Sequence, residues 1–67
     1  MTVDNIVCLL GGRTKIRIEN VIYQDIYWQG IVEDWLADNH LRKTLGDNEA
    51  HSMTVLNETD ELIIYIQ

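Results

Sequence analysis

The hydrophobic positions change period several times along the chain, and each change marks an expected element. Val3, Ile6, Val7 and Leu10 recur at three- and four-residue spacing behind Thr2. Threonine can accept hydrogen bonds from the free N–H groups of a first helical turn, so a short helix is expected over residues 3–10. Gly11-Gly12 follows the last apolar position, where a helix commonly closes through a left-handed residue, and a glycine C-cap is expected there. From Thr14 the period shortens to two. Ile16 and Ile18 point one way and Arg13, Lys15, Arg17 and Glu19 the other, as in a half-buried strand. After a break near Asn20, the residues Ile26, Trp28 and Gly30 share one face of a second strand and Tyr23, Tyr27 and Ile31 the other. The short connection makes this pair antiparallel.

Helical spacing returns with Ile31, Trp35 and Leu36, opposed by Glu33, Asp34 and Asp38, and predicts a helix over residues 31–39. Leu41 and Leu45, four apart and followed by Gly46, predict one further helical turn before Asp47-Asn48. Ser52 to Asn57 and Glu61 to Ile66 read as a hairpin joined across Glu58-Thr59-Asp60, with Met53 and Val55 on one face. In the last strand Leu62, Ile64 and Ile66 alternate with Glu61, Ile63 and Tyr65. Both faces are then apolar, which predicts a central or covered strand. The fold class expected is α+β: a single domain over residues 1–67, with a small antiparallel sheet of about four strands and two short helices on one face, in the order α-β-β-α-β-β. The pattern leaves strand order open.

Size sharpens this picture. A domain of 67 residues hides only about 60% of the surface its unfolded chain exposes, so its core is thin. Disulfides, a metal or a partner usually compensate, and the single Cys8 cannot form an internal bridge, which makes a homodimer one expectation. A content of 46% hydrophobic and 24% charged residues belongs to a folded globular chain. No apolar run approaches the roughly 20 residues that span a bilayer, and the N-terminus lacks a basic start and cleavage site, so a cytoplasmic protein without a membrane partner is expected. The net charge of −6, with bases only at Arg13, Lys15, Arg17, Arg42 and Lys43, opposes direct nucleic-acid binding. A protein partner is expected instead.

Candidate chemistry is sparse. His40, His51 and Cys8 are the only soft metal ligands and stand at no metal-binding spacing, so neither a metal nor a cofactor is expected. Cys8, between Val7 and Leu9, reads as a buried and inert thiol; catalysis would need it in a cleft with one of the histidines. The segment Gly11-Gly12-Arg13-Thr14-Lys15 has glycines beside bases, but it leaves a helix and enters a strand, the reverse of a phosphate-binding loop. Arg13, Lys15 and Arg17 recur at about 6.7 Å along their strand and are expected to pair with acids such as Asp25 or Glu61, or to guard an exposed edge. No environment that would raise a carboxylate pKa is legible, so no catalytic residue is assigned and the chain reads as non-enzymatic.

Two surfaces remain as candidates for binding. On one continuous helix Asp34 and Asp38 would repel, and Asp38 would oppose the dipole at the helix C-terminus. Glu33, Asp34 and Asp38 are therefore the candidate partner-binding acids, suited to a basic groove, with solubility as the plainer account. Among the aromatic residues, Tyr23, Tyr27 and Tyr65 would join Ile63 on the sheet face opposite Trp28 and Trp35, a candidate self-association face.

The run Gly-Gly-Arg-Thr-Lys-Ile-Arg-Ile at 11–18, the Tyr27-Trp28-Gln29-Gly30 segment before an acidic helix and the terminal Glu-Leu-Ile-Ile-Tyr-Ile together resemble small acidic proteins of phages and prophages of Gram-positive bacteria. Some such proteins antagonise host defence, including anti-CRISPR proteins that occupy nucleic-acid grooves. The resemblance implies a phage-type inhibitor in the host cytoplasm, acting on a basic nucleic-acid-binding host protein. A homo-oligomeric phage accessory or structural protein is the alternative it implies.

Overall fold

The computed structural model describes residues 1–67. The chain runs α1 (Val3–Val7), β1 (Lys15–Asn20), β2 (Ile26–Ile31), α2 (Val32–Leu36), α3 (Asn39–Thr44), a 3₁₀ turn (Leu45–Asp47), β3 (Ser52–Leu56) and β4 (Glu61–Ile66). This is an α+β fold with one four-stranded sheet in the order β2-β1-β4-β3. The two hairpins pair antiparallel, as their short connections require, but β1 and β4 at the centre run parallel. The sheet is therefore mixed where a wholly antiparallel one was expected. Two α-helices and the 3₁₀ turn separate the two hairpins in sequence, and that length lets β4 enter beside β1 in the same direction.

Alternation along β1 and β4 builds the core. Ile16, Ile18, Ile64 and Ile66 are buried on one sheet face, where Val3, Ile6 and Val7 of α1 and Val32 and Trp35 of α2 cover them. Trp28 reaches into the same layer from β2, its ring edge-on to Trp35 with centroids 5.4 Å apart and planes at 71°. The indole of Trp28 lies across Gly30. A β-carbon at residue 30 would sit 2.9 Å from Trp28 Cη2, so the glycine gives the ring its place.

The helix ends depart from the pattern in instructive ways. Thr2 caps α1 as expected, its Oγ1 accepting from the Asn5 backbone N–H at 3.2 Å while Asn5 Oδ1 accepts from the Thr2 N–H at 3.3 Å. The α-helix stops at Val7, however, and no glycine takes a positive φ. The apolar period persists to Leu10 because the chain continues in tighter i to i−3 turns, Leu9 N–H to Ile6 O and Leu10 N–H to Val7 O, both at 3.0 Å. The helix expected over residues 31–39 ends at Leu36, and the further turn expected at Leu41 and Leu45 is a separate helix, α3, that begins at Asn39. Asp38 leaves helical geometry, with φ −107° and ψ 91°, and its carboxylate accepts from the Leu41 N–H at 3.0 Å as the N-cap of α3. Asp34 and Asp38 thus do not share one helix face, and the expected repulsion between them has no structural basis. Glu33 and Asp34 lie in the first turn of α2, where the helix dipole favours acids.

Candidate functional site

Three polar constructions position the surface. The first joins the helices. Asp4 in α1 accepts at Oδ1 from the Trp35 Nε1–H (2.9 Å) and from Arg42 Nε (2.9 Å), and at Oδ2 from a terminal nitrogen of Arg42 (3.3 Å). The Arg42 hydrogen bond, seconded by that of Trp35, holds the Asp4 carboxyl below its ordinary value against the opposing effect of burial. The same contact raises Arg42 above its own ordinary value. Gly46 closes the joint, since a β-carbon there would lie 3.1 Å from both Asp4 Cβ and Trp35 Cζ2.

The second construction lies on the sheet face without helices. Arg17 donates to Glu19 Oε2 at 3.0 Å and to Glu61 Oε1, while Gln29 Nε2 donates to Glu61 Oε2 at 2.7 Å. Glu61 keeps only 4% of its surface exposed although it carries a charge. The base stripe expected to pair with acids does so at Arg17, with Glu61 as a partner and Glu19 as a second; Asp25 takes no part in an ion pair. These bonds raise the Arg17 pKa, the Glu19 contact most. The guanidinium spans β1 and β4, so the polar group that holds the two carboxylates also ties the parallel central pair together.

The third construction shapes the β1–β2 loop. Asn20 is buried, and its Oδ1 accepts from the backbone N–H groups of Ile22 and Tyr23, both at 2.8 Å, while its Nδ2 donates to the Tyr27 hydroxyl at 2.9 Å. Gln24 takes φ 60° to complete the turn. One side chain therefore fixes both ends of a loop whose apolar residues face water: Tyr23 is 74% and Ile22 68% exposed, and Ile26 and Tyr27 are also exposed. Such a turn satisfied by a side chain at its first residue follows from asparagine chemistry, yet the absence of an Asn-Gly or Asp-Gly pair left it unread in the sequence.

The remaining expected site residues fall as follows. Glu33, Asp34 and Asp38 are all exposed, on α2 and at the start of α3. Tyr23, Tyr27, Ile63 and Tyr65 are not one exposed patch. Ile63 is only 4% exposed beside Arg17, Tyr65 is half-buried, and Glu19 stands between Tyr65 and β2 in the register of the sheet. Cys8 is exposed rather than buried, because it lies off the 3, 6, 7, 10 stripe that faces the core. Its polar neighbours are Asp4 and Arg42, not a histidine.

Surface depressions are open and polar. The largest, about 650 Å³, is lined by Gly11 to Lys15 with Thr59 and Asp60 and has no apolar wall. No group of three His, Cys, Asp or Glu side chains converges as a metal site would require, and no helix is long and apolar enough to cross a membrane. Compared with known proteins, the chain matches no family model, no curated protein and no solved structure.

Proposed function

We propose that the chain is a non-enzymatic protein-binding module that docks through the β1–β2 loop and the acidic α2–α3 surface. The observation that carries this reading is the Asn20 loop. Four exposed apolar side chains stand together, Ile22 and Tyr23 on a turn whose backbone is fixed by a buried asparagine and Ile26 and Tyr27 at the start of β2. Leaving such a group in water costs free energy, and ordering it beforehand removes part of the entropy lost on association, so the arrangement favours a partner over a bare surface. Tyrosine at the tip suits an interface because its ring is apolar and its hydroxyl can remain hydrated.

Charge defines the partner. With a net charge of −6 and Glu33, Asp34 and Asp38 exposed, the surface complements a basic protein, which speeds encounter and selects register. The phage-type inhibitor implied by the resemblance is the specific form of this reading, with these carboxylates occupying a host groove that otherwise holds phosphates.

The test uses two variants captured against lysate of the native host. Ile22→Ser/Tyr23→Ser removes the loop tip. Asp34→Lys/Asp38→Ser removes the acidic surface while serine keeps the α3 cap; a lysine at residue 38 would lose the cap and about 1 kcal/mol with it. A partner recovered by the wild type and lost with both variants supports the proposal, and equal recovery by all three refutes it.

A further inference from the structure

Strand β3 differs from every other strand: all its residues, Ser52 to Leu56, are exposed. It is an edge strand, bonded along one side to β4. Apart from the turn bond from the Thr59 N–H to Leu56 O, none of its backbone groups bonds outside the sheet. Edges of this kind are ordinarily blunted by lysine, proline, a bulge or a covering element. The opposite edge has such a device, since the β1–β2 register shifts at Ile18/Glu19 in a bulge. β3 has none. Its register with β4 is continuous from Ser52 to Leu56, and His51 to Asn57 contains no Asp, Glu, Lys or Arg. The helix layer also stops short of it, for Met53 and Val55, which pair with core-facing Ile64 and Leu62, remain 52% and 58% exposed.

We infer that β3 is a homodimer interface in which two copies pair antiparallel through their β3 edges and continue the sheet to eight strands. The pairing goes beyond the heterologous docking proposed above and uses none of its residues. A two-fold axis through Thr54, perpendicular to the sheet, aligns all five residues and keeps both helix layers on the same side. Met53 then faces the partner's Val55, and Val55 the partner's Met53. The four apolar side chains gather where neither helix layer reaches, and Thr54 faces its own copy, a favourable cross-strand pair.

Charge favours this edge as the place where two copies meet, and area sets the strength of the contact. Electrostatics comes first: two chains of charge −6 repel, and β3 is an uncharged segment where like charges are not brought face to face. Area comes second. Ser52 to Leu56, the residues this pairing aligns, are all exposed and make up five of the 67, so a proportional share of the 4364 Å² total surface is about 330 Å² per copy. That share, about 650 Å² over both copies, lies below the size of stable specific interfaces and is that of a weak, transient contact. The small area thus predicts a weak, reversible dimer, populated towards the millimolar end of concentration, rather than an obligate one.

Sedimentation equilibrium from micromolar to millimolar concentration tests the inference, with circular dichroism to verify the fold of each variant. Wild type is expected to shift from monomer to dimer across this range. In Met53→Lys/Val55→Lys each lysine faces a lysine of the second copy, and Kd is expected to rise at least tenfold. In Met53→Lys/Val55→Glu each lysine faces a glutamate, and dimerisation is expected to return towards wild type. Both substituted positions are exposed, so folding is expected to survive the changes. A wild type that stays monomeric throughout overturns the proposal and leaves the edge to an extended segment of another protein. A Lys/Lys variant that dimerises like wild type, or a Lys/Glu variant as weak as Lys/Lys, overturns the proposed register.

Discussion

Asp4 allows the tightest test of how this small fold holds together. Asp4→Ala removes the only acceptor of the Trp35 indole N–H, in a residue with no exposed surface. A buried donor left unpaired costs about 1–3 kcal/mol, and the lower part of that range, about 1–2 kcal/mol, applies because water can approach from the partly exposed side of residue 4. For a chain of this length the total stability is on the order of 3–10 kcal/mol, so the loss is a large fraction. It corresponds to a fall in Tm of roughly 5–15 °C, measurable by circular dichroism or tryptophan fluorescence. In a Trp35→Phe background, which has no indole N–H, Asp4→Ala should cost distinctly less, since the interaction is already absent. Equal losses in both backgrounds would refute the account. The pH dependence carries the sign of the depressed pKa. The carboxylate contributes fully above its ordinary value near 3.8, and that contribution disappears as pH falls through the lower folded value. Asp4→Asn should therefore lose stability relative to wild type at neutral pH and converge with it in acid.

Two further substitutions probe the rest of the scaffold. Arg17→Met leaves Glu19 and Glu61 as neighbouring carboxylates without their shared cation, so the loss of stability should be greatest at neutral pH and smaller near pH 4, and adding Glu19→Gln and Glu61→Gln should recover much of it; denaturant midpoints at both pH values decide the matter. Gly30→Ala forces a methyl against the Trp28 ring, 2.9 Å from Cη2, so it should cost about 1–3 kcal/mol and diminish the near-ultraviolet signal of the Trp28–Trp35 pair, whereas an unchanged spectrum would mean the indole does not lie over the glycine.

The secondary structure was legible where a local period had a local cause. Ile16 and Ile18, or Ile64 and Ile66, alternate because a strand sends neighbouring side chains to opposite faces, and the apolar-on-both-faces character of β4 announced its central position. The Thr2 cap was readable for the same reason, since its partner is three residues away. Asp38 carried a comparable signal, a capping residue three positions before Leu41, but the apolar spacing of Ile31, Trp35 and Leu36 obscured it. The stripe led to an acidic helix face where the chain in fact breaks and starts again.

Sequence by itself determined the strands, the order of the elements and the antiparallel hairpins, because each follows from period or turn length, and it offered Glu61 as one of the acids that a β1 base could meet. Tertiary structure alone decided that β1 and β4 run parallel, that Asp4 meets Trp35 and Arg42, that Ile63 is buried and Cys8 exposed, and that β3 is left uncovered. These depend on which surfaces meet across dozens of residues. The physical reason is that alternation assigns a side chain to a face of its own strand, whereas burial depends on what arrives over that face. In this chain the helices cover β1 and β4 but do not reach β3.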